Sequence, residues 1–283
     1  MSQKSYDGTP TLYLIPTPIG NMDDITLRAI KILKEVEVIF CEDTRVTGLL
    51  LNHLEIKKKL IASHEHNEKG NSEKLLSYLN NGQDVGLVTD RGTPIISDPG
   101  YELVKIVIDK GYNVVGLPGA TALIPALITS GITPSPFLFY GFLNNKETKR
   151  NQELEELKNE KATMIFYESP HRINETINAM KNILGNNNRQ ISISREISKK
   201  FEEVYRGKLD EVDEFVELKG EIVIVVSGNN LEEDYSQLSI EEHIALYIKD
   251  GLSKMDAMKQ VAKERKLKKS DIYNQYLKSE GER

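Results

Sequence analysis

The sequence predicts an α/β protein of two domains followed by a small helical appendage. Three observations predict it. Short apolar runs alternate with stretches of helical spacing from Leu12 to Val226. Most of these runs end in loops rich in glycine, proline and carboxylates. From about residue 236 the apolar runs stop and only helical spacing remains. Alternating strands and helices imply a mostly parallel sheet covered on both faces.

Taken in order, Leu12–Ile15 reads as a buried strand, and Leu27, Ile30 and Leu33 give Thr26–Glu35 helical spacing. Val36–Cys41 is a strand, Arg45–Leu54 a helix and Leu60–Ala62 a short strand. Ser72 opens a helix that Gly82 stops. The strand Val85–Val88, a long loop, a helix to Lys110 and the strand Asn113–Leu117 complete the first half. The domain junction falls near 119–130, which gives domains at 1–118 and 119–232 and an appendage at 236–283. In the second half the helices are Leu123–Ser130, Thr148–Glu160, Ile173–Leu184 and Leu209–Leu218. Its strands are Phe137–Tyr140, Thr163–Tyr167, Gln190–Ser194, Val204–Tyr205 and Glu221–Val226. Neighbouring strands with no helix between them imply a mixed sheet. Ser239-x-x-Glu242 and Ser253-x-x-Asp256 open helices of the appendage as capping boxes. That appendage either packs on the core or reads RNA as a helix-turn-helix.

Composition narrows the classes. A hydrophobic fraction of 39% and a charged fraction of 28% fit a globular chain. No apolar run is long enough to span a bilayer, and residues 1–10 lack the pattern of a signal peptide. Cys41 is the single cysteine, set in an apolar strand, so the expectation is a buried thiol and a reducing cytoplasm. The net charge of −6 means that any RNA contact is local rather than spread over the surface.

The longest strand-end loop is Gly86–Gly100, with the strand end Val88 followed by Thr-Asp-Arg-Gly-Thr-Pro-Ile-Ile-Ser-Asp-Pro-Gly100. A plain connection needs only a few residues. This one takes about a dozen, stiff and polar, where ligands bind in open sheets. Pro16–Asn21, Glu42–Arg45, Pro118–Ala122, Glu168–Arg172 and Ser194–Lys199 share its character and are expected on one edge. Dinucleotide, phosphate-loop and nucleophile-elbow fingerprints are missing. His64-Glu65-His66 lacks zinc-site spacing, so no metal is expected. His171 sits in a polar loop, and Arg172 and Arg195 carry forks suited to phosphate.

Together these loops resemble the tetrapyrrole methylase superfamily, and most closely its ribosomal RNA small-subunit methyltransferase I branch. The resemblance rests on Leu12-Tyr-Leu-Ile-Pro-Thr-Pro-Ile-Gly-Asn21, Asp24-Ile-Thr-Leu-Arg-Ala29, Cys41-Glu-Asp-Thr-Arg45, His66-Asn-Glu68 and the Gly86–Gly100 run. It continues through Pro118-Gly-Ala-Thr-Ala122, Tyr140-Gly-Phe-Leu143, Tyr167-Glu-Ser-Pro-His-Arg-Ile173 and Ser194-Arg-Glu-Ile-Ser-Lys199. It implies a tetrapyrrole-methylase-like fold and a homodimer. It also implies methylation of a cytidine ribose 2′-hydroxyl in the decoding region of 16S rRNA, with S-adenosylmethionine as donor.

By position, the resemblance puts Ile19, Gly92, Thr93, Pro94, Ile96, Thr121, Ala122 and Tyr167 at the cofactor. Glu168 and Asp90 are the expected catalytic carboxylates, with Asp98 and Glu42 as further candidates. Arg172, Arg195, Lys146, Lys199 and Arg45 are expected on the RNA of the small ribosomal subunit. Position 91 departs from the branch, which most often has a small residue there. Arg91 is expected to pair with Asp90 or to reach an RNA phosphate. The competing readings are a methylase acting on a tetrapyrrole or a protein side chain, and a non-catalytic ribosome-assembly protein.

Overall fold

A computed structural model describes residues 3–5, 7–63, 68–185, 188–215, 219–229, 238–249 and 251–281. The chain divides into two compact units, 1–229 and 230–283. His64-Glu65-His66 lies outside the described residues.

The first unit begins with β1 (Thr11–Leu14), α1 (Leu27–Glu35), β2 (Val38–Cys41), α2 (Thr44–His53) and β3 (Lys59–Ala62). It goes on through α3 (Glu68–Asn80), β4 (Val85–Val88), α4 (Tyr101–Asp109) and β5 (Asn113–Gly116). The five strands lie in the order β3-β2-β4-β1-β5, all parallel. Side chains alternate between two cores, as the two-residue period of a strand requires. Val38 and Phe40 pack with Leu75 and Leu79 of α3 and with Leu103 and Val107 of α4. Ile39 and Cys41 pack on the other face with Leu33 of α1 and Leu51 of α2. Burial pushes the Cys41 thiol up to about 11, which leaves it inert.

The second sheet follows α5 (Leu123–Thr129). It contains β6 (Phe137–Phe142), β7 (Thr163–Glu168), β8 (Gln190–Arg195), β9 (Glu203–Lys208) and β10 (Ile222–Val226). Their order is β6-β7-β10-β8-β9, and only β6 and β7 are parallel. Helices α6 (Glu147–Glu156) and α7 (Ile173–Leu184) cover the face that carries Ile222, Ile224 and Val226. Ala126 and Leu127 of α5 cover the other face, against Ile165, Val223 and Val225.

Three differences from the sequence reading have physical causes. Helix α3 starts at Glu68 rather than Ser72, and Asn71 Nδ2 donates to the Ala62 carbonyl at 2.8 Å. Strand β9 runs over six residues because it is an edge strand. Its polar side chains hide the apolar signal of a strand but suit an exposed edge. The helix read over Leu209–Leu218 is only a 3-10 turn, Leu209–Glu211. Beyond it the side chains of α7 serve the backbone instead. Asn174 exchanges hydrogen bonds of 2.9 Å with the Phe215 N–H and carbonyl, and Lys181 donates to the Val212 carbonyl.

The second unit holds α8 (Ile240–Lys249), α9 (Lys254–Glu264) and α10 (Lys269–Gly281). Ile244, Ala257, Val261 and Ile272 form its core. Ser239 closes a full capping box with Glu242, at 3.1 and 2.8 Å. No helix among the described residues is long and apolar enough to cross a membrane.

Phe166 is fully buried in the core beneath α6 and α7. Phe166→Ala is expected to lower the unfolding free energy by about 3–5 kcal/mol, read from urea denaturation.

Candidate active site

Parallel strands deliver their loops to one edge, so the loops after β1, β2, β4 and β5 converge. In the second sheet β7 and β8 both run antiparallel to β10, and therefore in the same direction as each other. Their loops leave on the edge where β10 begins. The two edges enclose a cavity of about 440 Å³.

The cavity has a rigid frame. Thr17 and Gly92 exchange backbone hydrogen bonds of 2.9 and 3.0 Å, and Thr17 Oγ1 donates to the Thr89 carbonyl at 3.2 Å. Gly92 has φ +87°, and a Cβ there would lie 3.3 Å from Ile19 Cγ2. Thr93 Oγ1 donates to the Ala120 carbonyl at 3.0 Å, which ties in the loop after β5. Ile95 and Ser97 sit at φ 78° and 65°. A β-branched residue in that region is strained, and strain of this kind gathers at ligand sites.

Of the residues expected at a cofactor, Ile19, Gly92, Thr93, Ile96, Thr121, Ala122 and Tyr167 all line the cavity. Pro94 does not; it is buried behind the wall, because the turn at Gly92 and Thr93 faces it away from the opening. Asp90 and Glu168 are on the wall, with Glu42 and Asp98. Sequence reasoning missed Val46, Phe142, Ile197, Glu221 and the start of β10, Ile222–Val223. An antiparallel strand brings its first residues to this edge, so no strand-end loop announces them.

The carboxylates differ in their surroundings. Glu168 is buried, with Oε1 accepting the Ser169 N–H at 2.7 Å and Oε2 accepting the Thr176 hydroxyl at 2.6 Å. Arg172 stands 3.6 Å from the same Oε2. Asp90 Oδ1 accepts the Asp43 N–H at 3.0 Å, and Thr89 Oγ1 donates to Glu42 Oε2 at 3.3 Å. Asp98 is pushed up to about 6, first by burial and further by Glu42 and Asp90, against the opposing effect of the Thr89 hydroxyl. Burial also raises the Tyr167 phenol, whose ring meets Phe139 and Phe142 edge-on at 4.9 and 5.6 Å.

Arg91 pairs with Glu221, at 2.6 Å, and not with Asp90. Glu221, just before β10, puts a carboxylate within its reach from across the cavity. Lys199 bridges Glu196 and Glu221 at 2.8 and 3.1 Å, and its hydrogen bond holds the Glu196 carboxyl below its usual range. Ser198 Oγ donates to Asp24. These contacts form a clasp between the two sheets along one rim.

Most of the other expected RNA cations are already engaged within the protein. Arg45 pairs with Asp43 at 2.6 Å and holds that carboxyl at about 2. Arg195 pairs with Glu203 at 2.5 Å. Arg172 donates to the carbonyls of Leu143 and Asn144 at 3.0 and 3.1 Å. Lys146 is exposed at the start of α6, and His171 is exposed in its loop. Among the described residues no group of three or more His, Cys, Asp or Glu side chains is arranged to hold a metal ion.

One parallel and one mixed sheet meeting at a cavity is an arrangement shared with tetrapyrrole methylases, and the match to their family model puts the chain in that class. The family model of Tetrapyrrole (Corrin/Porphyrin) Methylases matches residues 11–213. Among solved structures, the methyltransferase CobJ superposes with a TM-score of 0.59 at 17% identity, over 78% of this chain and 95% of that one. A uroporphyrin-III C-methyltransferase from Thermus thermophilus, complexed with S-adenosylhomocysteine, gives 0.55 at 19% identity, over 77% and 97%. Curated relatives are closer in sequence. The ribosomal RNA small subunit methyltransferase I of Bacillus subtilis (strain 168) is 44% identical, over 97% of both chains. That of Halalkalibacterium halodurans is 46% identical, over 97% of this chain and 98% of the relative. This chain belongs to the ribosomal RNA small subunit methyltransferase I family.

Both partners of the Arg91–Glu221 pair are more than half exposed, at 55% and 60%. A double-mutant cycle of Arg91→Ala and Glu221→Ala is expected to give a coupling of about 1 kcal/mol or less in chemical unfolding, shrinking with salt.

Proposed function

We propose that the chain methylates the ribose 2′-hydroxyl of a cytidine in the decoding region of 16S rRNA, using S-adenosylmethionine. Family membership and the names of its relatives support the rRNA substrate. The observation that carries the chemistry is a cavity whose wall joins an apolar lining to carboxylates, among them Glu42, Asp90 and Asp98 on the side of the first sheet. That wall suits the donor. Ile19, Ile96, Ala122 and Val223 offer apolar surface to an adenosine, and the carboxylates complement hydroxyls and positive charge. Gly92, Thr93, Thr121 and Tyr167 supply polar groups close by, and Pro94 stiffens the loop from behind.

When bound, S-adenosylmethionine supplies a methyl group already activated on sulfur. The protein's share is to align the attacking oxygen and accept its proton. Glu168 has both oxygens engaged within the fold, and Asp90 has one held by the Asp43 N–H. Asp98 is the better acceptor in this reading, with Asp90 and Glu42 raising its affinity for a proton and Glu168 fixing the wall beside Tyr167. Lys146, Arg45, Arg195 and Arg172 lie at the ends of strands or at the starts of the helices that follow them, and phosphate contacts from them position the strand without reading its bases. The same proposal includes a homodimer, which sedimentation equilibrium tests.

Methyl transfer to unmethylated small subunits is expected to lose rate as pH falls below about 6, because a carboxyl raised to about 6 is protonated there and cannot act as a base. Asp98→Asn is expected to slow transfer by about 100-fold or more, a larger effect than its weakening of S-adenosylmethionine binding in calorimetry. Wild-type turnover by that variant removes Asp98 from the mechanism.

A further inference from the structure

A second, open groove of about 570 Å³ lies beside the cavity. The two share Val46, Asp90 and Arg91 in their walls, so they adjoin at those side chains. One wall of the groove is a face of α2. Val46, Leu49, Leu50 and His53 recur at the three- and four-residue spacing of a helix and all line it. The core side of α2 is elsewhere, at Thr47 and Leu51. Leu49 is 72% exposed and Val46 37%, so these apolar side chains face open space among the described residues. The opposite wall is held by a close crossing. A Cβ on Gly20 would lie 2.4 Å from Lys199 Cγ, so the lysine stem runs directly over that glycine. The rim offers donors on Arg91 and Lys199 and acceptors on Asp90 and Glu196.

The geometry of a ribose narrows the occupant. Its 2′-oxygen and its base sit on adjacent ring carbons. A hydroxyl presented to the cavity therefore carries its base only a few ångströms away, into the space that opens alongside. A base is flat, with apolar faces and a polar edge. The groove matches both parts, with aliphatic side chains for the faces and charged groups for the edge. Carboxylates accept from an amine such as that of cytosine, and cations donate to its ring carbonyl.

We propose that this groove receives the base of the target nucleotide, swung out of its strand, against the Val46–Leu49–Leu50 face of α2. The inference rests on the rRNA reading above. Swinging out the base costs stacking energy, least for a base that is already unpaired. The groove offsets that cost through apolar contact, so its effect falls on the subunit and not on the methyl donor.

The test uses wild type, Leu49→Asp and Leu49→Met on small subunits from cells that lack the enzyme. Because Leu49 is exposed, neither change disturbs the core. Leu49→Asp is expected to lower kcat/KM for the subunit by about tenfold or more, since a carboxylate against a base face leaves a charge poorly solvated. Binding of S-adenosylmethionine in calorimetry is expected to stay within about twofold, and Leu49→Met to keep most of the rate, as an unbranched apolar side chain fills the same space. Wild-type transfer by Leu49→Asp overturns the assignment. Loss of rate together with a changed sedimentation coefficient also overturns it, and gives the stripe to a second copy of the chain. Wild-type enzyme that binds S-adenosylmethionine but never methylates the subunit overturns the rRNA reading itself, and the base site with it.

Discussion

The site depends on two backbone hydrogen bonds between Thr17 and Gly92. Strands β1 and β4 pair only as far as Leu14 and Leu87. Beyond that the loops are free to separate, and the Thr17–Gly92 pair stops them. It fixes the turn that carries Thr93, whose hydroxyl fastens the loop after β5. Three loops are thereby held at one spacing before any ligand arrives. Buried backbone groups left unpaired cost about 1–3 kcal/mol each, so this frame resists distortion more strongly than the exposed ion pairs near it. The positive φ of Gly92 is the local condition for the arrangement.

Electrostatics divides the rim from the wall. On the rim the Arg91–Glu221 pair is exposed and contributes about 1 kcal/mol or less, while Lys199 and Glu196 are paired and more covered. An exposed pair exchanges partners readily. A phosphate that arrives at Arg91 replaces one anion by another at little cost. On the wall, burial dominates. Asp98 has no cation among the causes that set its proton affinity, and its neighbours Glu42 and Asp90 are of like charge. The same side-chain chemistry therefore yields a gripping surface outside and a proton-accepting group inside.

Much of this was legible in the residues. Apolar runs of four to six residues marked nearly every strand, and Ser239 and Ser253 marked helix starts through side chains that cap them. The convergence of loops followed from parallel strands. What escaped notice depended on distance along the chain. Nothing near Arg91 signals Glu221, which lies 130 residues on. Nothing near Leu209 signals that Asn174 supplies the hydrogen bonds a helix would have made. The RNA cations were read as free charges, although Asp43, Glu203 and Glu196 stood within a few residues of Arg45, Arg195 and Lys199.

The antiparallel course of β10 has a consequence for the timing of synthesis. The cavity wall begins at Ile19 and ends at Val223, about 200 residues later. Strand β10 is also central, lying between β7 and β8, so the second sheet has a gap until it is inserted. Domains fold from the N-terminus as the chain emerges. A nascent chain therefore carries a finished parallel sheet and half a cavity, with no clasp and no far wall. An enzyme of this family is made by the particle whose RNA its relatives are named for, and its own topology keeps it incomplete until almost all of the first unit has been translated.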